Sequence, residues 1–295
     1  MNIFIAGASG FVGGHLIDVL LKEGHKLRCL ARSEKAKKLF KEKGIEVVSG
    51  DITEPDTLEG ALNGIGLVIH LVGIIQEKGP ATFQRVHVEG TKNLVAEAKR
   101  AGVKHFFYQS ALGADKDSWS GYLKTKARAE EIVKASGIPH TIFRPSLIIG
   151  PWDGFTRKLM DLIKMSPVIP IPGGGESKFQ PLYIKDWLGC IQKVIASPES
   201  FKGTFEIGGP QHLSYNELVA SLAEVMNMKK SVLHIPMALM KLGAVFAEKT
   251  LRFSPVSYDQ LRLLENDNIC AVDSVEKNFG FKPMEYRSSL KEFIR

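Results

Sequence analysis

Residues 1–24 read MNIFIAGASGFVGGHLIDVLLKEG. An apolar run, NIFIA at 2–6, ends in three glycines spaced GxxGxxG, Gly7, Gly10 and Gly13, and the chain continues as an amphipathic helical stretch. This order implies three physical needs. The first glycine permits a tight turn, the second a close backbone approach to a pyrophosphate, and the third close packing of helix on strand. The helix that follows directs its N-terminal N–H groups and positive dipole end at the same place. Other phosphate and hydrolase patterns fail here: there is no GK[ST], and Ser9 lacks the glycine spacing of a GxSxG elbow.

The alternation continues beyond residue 24. HKLRCLA, a Lys-rich helix, IEVVSG, LVIHLVG, HFFYQS, HTIFRPS and GTFEIGG alternate with helical stretches such as VHVEGTKNLVAEAKRAG and YLKTKARAEEIVKASG. The pattern predicts an α/β fold built on a Rossmann-type, doubly wound parallel sheet. Residues 1–145 are expected to form the nucleotide-binding domain, with strand segments near 180–210 returning to it. Residues 146–295 are expected to form a smaller, mostly helical substrate lobe, introduced by the Gly/Pro-rich stretches IIGPWDGF and IPIPGGGESKF.

Composition narrows the function. With 44% hydrophobic and 24% charged residues the chain is ordinary for a soluble protein. Its net charge of +7 is compatible with a polyphosphate ligand or an anionic membrane surface, and no helix-turn-helix, zinc-finger or RNP pattern points to nucleic acid. Cys29, Cys190 and Cys270 show no disulfide or zinc spacing, and the histidines no HExxH, so no metal is expected. Reduced thiols and a first strand that starts at once predict a cytoplasmic protein.

At the end of the second strand, CLARSEK places Arg32 and Ser33 where an acidic residue would take a ribose 2′-hydroxyl. A guanidinium suits a 2′-phosphate, which favours NADP, while Glu34 leaves NAD open. In YLKTK, Tyr122 and Lys126 are four apart and share a helix face, so the ammonium is expected to draw the phenol toward neutrality and make it an acid or base.

These residues resemble the short-chain dehydrogenase/reductase superfamily, extended or atypical branch. The branch nearest in pattern contains the accessory nucleotide-binding subunit of respiratory complex I (alpha subcomplex subunit 9) and its bacterial relatives. SALGAD, FQPLYIKD, IGGPQHLSYNEL and SPVSYDQLRLLENDN carry that likeness. The resemblance implies a cofactor loop of Gly7, Ser9, Gly10, Phe11, Val12 and Gly13. It also implies adenine contacts from Asp51 and Ile52, a ribose-facing segment of Leu71, Val72 and Gly73, and a nicotinamide-lining turn of Pro145, Ser146 and Leu147. Ser110, Tyr122 and Lys126 match the catalytic set, and His87 stands where many members carry asparagine, available to bond a ribose or carry a proton.

The twelve residues from Ser110 to Tyr122 are fewer than many epimerases use, which disfavours a nucleotide sugar. The expected function is thus an NADP-dependent oxidoreductase moving hydride to or from a small or lipophilic carbonyl or alcohol. A non-catalytic NADP-binding module and an NAD-dependent epimerase or dehydratase are the alternatives. Trp152 and Asp153 lie in an expected substrate loop, and Asp186 is expected to fix a turn. Residues 235–251, with Ile235, Leu239, Leu242 and Phe246 at helical spacing, are too short and charged to span a bilayer. They suit the lobe's own core, a second copy of the chain, or peripheral contact with a membrane.

Overall fold

A computed structural model describes residues 1–250 and 258–294, the side chains of 245–250 excepted. Along the chain run β1 (Asn2–Ala6), α1 (Phe11–Lys22), β2 (Lys26–Ala31), α2 (Glu34–Glu42), β3 (Glu46–Ser49), β4 (Leu67–His70), α3 (Gly90–Arg100), β5 (His105–Gln109), α4 (Gly121–Lys134) and β6 (His140–Pro145). The second half contains β7 (Ile148–Ile149), α5 (Gly154–Met165), β8 (Val168–Pro172), β9 (Lys178–Phe179), β10 (Leu182–Tyr183), α6 (Ile184–Ala196), β11 (Gly203–Ile207), β12 (Leu213–Ser214), α7 (Tyr215–Val225), β13 (Ser231–Ile235) and α8 (Met237–Thr250). Three short helices follow: α9 (Tyr258–Leu263), α10 (Ser274–Phe279) and α11 (Tyr286–Phe293).

The chain divides into two compact units: residues 1–144 with 188–205, and residues 145–187 with 206–295. The first is built on a seven-stranded sheet in the order β11-β6-β5-β4-β1-β2-β3, and β1 to β6 pair in parallel. The order reverses between β1 and β4, the switch point at which open α/β sheets bind ligands. Ile3, Phe4, Ile5 and Ala6 are all fully buried, as a central strand covered on both faces requires. Phe4, Val68, Leu94, Phe106, Tyr108 and Ile142 belong to one core on this sheet. Helix starts follow local chemistry: Ser33 accepts the Ala36 N–H at 3.2 Å to cap α2, and Ser120 accepts that of Leu123 to cap α4.

The second unit has little sheet. β7 pairs with β10, β9 with β12, and β8 with β13, each as a two-stranded ribbon. Its core joins Ile163, Ile169, Ile171, Leu218, Leu222 and Tyr286. Gln180 pins its loops, donating to the Gly209 carbonyl and accepting the Cys270 N–H, both at 2.7 Å. A capping box of Ser214 and Glu217 starts α7. Among the described residues no helix is long and apolar enough to cross a membrane.

Two adjacent glycines separate packing from propensity. A Cβ on Gly13 would fall 2.3 Å from the Gly7 carbonyl oxygen, whereas one on Gly14 meets nothing within 4 Å. Gly13→Ala is expected to lower stability by about 2–3 kcal/mol through overpacking. Gly14→Ala is expected to raise it by roughly 0.5–1 kcal/mol, because Ala is the better helix former. Urea denaturation of both variants without nucleotide checks the pair.

Candidate functional site

The glycine loop lies in the first unit, where β1 passes into α1. Gly7 has φ +94°, and a Cβ there would meet the Leu71 carbonyl carbon at 2.9 Å and the Val72 nitrogen at 3.0 Å. The turn and the close approach to the β4 exit therefore both require glycine. Gly10 donates its N–H to the Gly7 carbonyl at 3.0 Å and precedes a helix whose N-terminus no side chain caps. Ser9 and Gly10 are exposed and Phe11 and Val12 half-buried, with the Phe11 ring edge-on to His15. An exposed, uncapped helix N-terminus beside a backbone cradle fits a pyrophosphate.

Arg32, Ser49, Gly50, Asp51 and Thr57 line a cavity of about 310 Å³ at the ends of β2 and β3. Arg32 Nη1 lies 3.1 Å from Asp51 Oδ2, so the guanidinium expected at a 2′-phosphate is paired with a carboxylate of the same pocket. Asp51 is itself tied down. Its Oδ1 accepts the Thr53 N–H at 2.9 Å, and its own N–H donates to Thr57 Oγ1 at 3.0 Å. Burial pushes the Asp51 carboxyl up, but the bonds from Thr53 and Arg32 outweigh it and hold the group below its ordinary range. Ser33 differs from expectation, because its hydroxyl is committed to capping α2. Ile52 is buried against Gly90, where a Cβ would come within 2.5 Å of Ile52 Cδ1. Gly90 is thus a residue of this region that motif reading passed over, although it lies within VHVEGT.

Tyr122, Lys126 and Glu130 follow one another at four-residue intervals along α4. Lys126 is buried, donates to the Gln109 carbonyl at 2.5 Å and sits 4.4 Å above the Tyr108 ring. Desolvation lowers it to about 7, with partial compensation from Glu130. Tyr122 is half-buried and is pushed by desolvation up to about 12. Lys126 does not offset this, and the expected pull of the phenol toward neutrality is not what burial produces here. The lysine's proton is directed at a backbone carbonyl, and loss of water acts on both groups against their charged forms.

Glu130 is buried and receives two bonds of 2.8 Å from Arg144 on β6, with Lys134 at 3.3 Å. Burial raises this carboxyl, and Arg144 more than offsets it, so Glu130 stays below its ordinary range. Ser110 lies near enough to act on that carboxyl, yet its buried hydroxyl makes no hydrogen bond of ordinary geometry. Its N–H donates to the Phe143 carbonyl at 2.7 Å, which fixes the backbone.

His87 departs from its expected role. It is fully buried in a π-helical turn, Gln84–Glu89, with Nε2 accepting the Ile74 N–H at 3.0 Å and Nδ1 3.0 Å from Thr125 Oγ1. The first bond makes Nε2 the acceptor, so Nδ1 carries the hydrogen and donates to Thr125. Both nitrogens serve the fold, and neither is available to a ribose. Burial, with the charge of Lys126 beside it, lowers the ring to about 3, so it carries no proton at neutral pH. Its ring instead stacks on Phe83 at 5.5 Å and meets the Tyr122 ring at 5.6 Å, forming an aromatic wall beside the phenol. A Cβ on the exposed Gly73 would lie 3.5 Å from His87 Nε2 and 3.8 Å from Lys126 Nζ, which brings the β4 exit to the lysine.

Pro145, Ser146 and Leu147 belong to the second unit. The Ser146 hydroxyl is engaged there with the Asn268 backbone and side-chain oxygens at 2.8 and 2.7 Å, and Leu147 O accepts the Leu182 N–H. Asp153 caps α5 through the Thr156 N–H, and Asp186 holds the turn at Met284 through a 2.9 Å bond. Trp152 is exposed at φ +73°, a backbone conformation costly for a bulky residue.

The buried lysine carries a pH signature. At pH 6 it is charged in both the folded and the unfolded chain, and only the folded chain bears the desolvation. Between about 7 and the ordinary 10.5 the unfolded chain alone stays protonated, so wild-type stability gains across that window. Lys126→Met is expected to exceed wild type in stability at pH 6 by on the order of 2 kcal/mol. That margin should shrink toward pH 10, as read from urea unfolding at pH 6, 8 and 10.

Comparison with known proteins identifies the family of the chain. The chain is 30% identical over 236 residues to a ceramide reductase of Caulobacter vibrioides, covering 79% of this chain and 73% of that one. It is 27% identical to the mitochondrial NADH dehydrogenase [ubiquinone] 1 alpha subcomplex subunit 9 of Arabidopsis thaliana, over 94% of this chain and 71% of the relative. Among solved structures, a nucleoside-diphosphate-sugar epimerase from Staphylococcus aureus shares the fold with a TM-score of 0.78 at 20% identity, over 99% of this chain and all of that one. The NmrA-like family matches residues 1–274, and the chain belongs to that family.

Proposed function

We propose that the protein is an NADP-dependent oxidoreductase that moves hydride to or from a lipophilic carbonyl or alcohol. The observation that carries the reading is the joint presence of the glycine cradle and the Ser110, Tyr122, Lys126 set in one α/β unit. The ceramide reductase relative, by its name, acts on a lipid, which supports a lipophilic substrate. In this reading the loop Gly7–Gly13 and the N-terminus of α1 would hold the pyrophosphate, Asp51 and Ile52 would contact the adenine, and Leu71, Val72 and Gly73 the ribose. NADP supplies or accepts the hydride. Ser110 fixes the substrate oxygen with its hydroxyl, and Tyr122 exchanges a proton with that oxygen. Lys126, which donates to the Gln109 carbonyl, would hold the nicotinamide ribose.

A second reading, a nucleotide-binding module without turnover, is favoured by one observation: a relative matching 94% of this chain is, by its name, a subunit of NADH dehydrogenase [ubiquinone]. The two diverge in experiment. Tyr122→Phe should leave NADPH affinity nearly unchanged while cutting turnover by about 10² or more on a panel of long-chain ketones and 3-keto lipids. Tight NADPH binding with no turnover of the panel by wild type would move the protein to the second reading.

Cofactor choice rests on the Arg32–Asp51 pair. NADPH is expected to bind more tightly than NADH by about 1–3 kcal/mol, and Arg32→Ala should erase the difference. Asp51→Asn frees the guanidinium and removes a negative charge from the pocket, so it should widen the preference about fivefold or more. Calorimetric titration of both nucleotides into the three proteins reads this directly. Equal affinities in wild type would end the NADP assignment.

A further inference from the structure

Twelve large apolar side chains are exposed among the described residues, and six of them fall in two short stretches of the second unit. Met165 is 85% exposed at the end of α5, and Val168 opens β8. Opposite, β13 carries Val232 at 48% and Leu233 at 57%, and α8 adds Leu239 at 59% and Leu242 at 67%. The stretches are adjacent in space, because β8 and β13 pair in register, Val168 with Ser231 and Ile169 with Val232. The two strands are unlike. β8 sends Ile169 and Ile171 into the core, whereas Ser231 to His234 of β13 are all exposed, with His234 alone tied inward by a 3.1 Å bond to Asn216. Leu239 and Leu242 are three apart and share one face of α8.

The charge along these stretches is basic, while Glu176 follows the first directly and reaches His234 of β13 through Asn216. Stretches 162–175 and 228–244 contain Lys164, Lys229, Lys230 and Lys241 and no acidic residue. Lys241 is paired with Glu265 at 2.6 Å. Lys230 donates to the Ser166 carbonyl at 2.8 Å, which holds its ammonium at the start of the ribbon. Lys164 and Lys229 are exposed, and these two and Lys230 make no ion pair among the described residues. Asp161, one turn before Lys164, is the nearest acid along α5.

We infer that this face, the β8–β13 ribbon with the first turns of α8, docks on an anionic lipid bilayer. Exposed valines, leucines and a methionine enter the headgroup boundary, and the lysines beside them meet acidic headgroups. A second copy of the chain is the poorer occupant, because a two-fold contact through this face would bring two sets of lysines together. The surface expected over 235–251 is thus moved toward β13. The side chain of Phe246, expected to share in it, lies outside the described residues.

The test reads sedimentation rather than turnover, so it stands apart from the oxidoreductase assignment. Vesicles of equal parts phosphatidylglycerol and phosphatidylcholine should pellet the protein at low salt about tenfold more than phosphatidylcholine alone. Half-molar salt should weaken the pelleting. Leu233→Glu with Leu239→Glu should reduce binding about tenfold, with thermal unfolding and NADPH titration unchanged because both side chains are exposed. Lys229→Gln with Lys230→Gln should reduce it severalfold. No pelleting at low salt overturns the inference, as does equal binding by the double glutamate variant. A concentration-dependent dimer in sedimentation velocity that the glutamates abolish, without vesicle binding, overturns it in favour of self-association.

Discussion

The contact between backbone and backbone at the end of β1 is the constraint on which the rest of the first unit depends. Gly13 places the first turn of α1 against the Gly7 carbonyl at a distance no side chain permits, and Gly7 does the same toward the chain leaving β4. Strand, helix and neighbouring strand thereby converge at the switch point of the sheet. The same convergence leaves the helix N-terminus uncapped and exposed beside the cradle. A local steric requirement thus becomes an anion-binding geometry without any charged side chain.

Electrostatics around Tyr122 and Lys126 is governed by loss of water more than by pairing. Tyr122 and Lys126 are held close on α4, yet each is driven toward its neutral form because the surroundings do not solvate charge. The compensating charge lies one turn further on, where Glu130 is locked by Arg144. That pair anchors α4 to β6, and removing Arg144 would leave the buried Glu130 carboxylate with Lys134 alone. His87 contributes shape in the same place. With both nitrogens bonded, its ring is a fixed neutral wall between Phe83 and Tyr122.

The second unit shows the opposite economy. Its core is built from β8, α5, α7 and α11, and its loops are pinned by Gln180 and Asp153. β13 takes part through backbone pairing, a His234–Asn216 bond and a half-buried Ile235, and its other side chains lie outside. A strand apolar by composition and exposed on both faces is unusual for a surface that meets only water.

Much of this was legible from residues alone, wherever cause and effect lie close in the chain. The glycine spacing after NIFIA specifies the turn and the packing of α1, the alternation of short apolar runs with helices specifies a parallel sheet, and the four-residue interval places Tyr122 and Lys126 on one helix face. What tertiary structure decided are the partners and the solvent. Arg32 meets Asp51 nineteen residues on, His87 is satisfied by Ile74 and Thr125, Ser146 is engaged by Asn268, and Glu130 finds Arg144 on another element. A hydrogen bond between distant residues has no local pattern to betray it. The sign of a pKa shift depends on how much water the completed fold removes around a group, which no spacing in the sequence encodes.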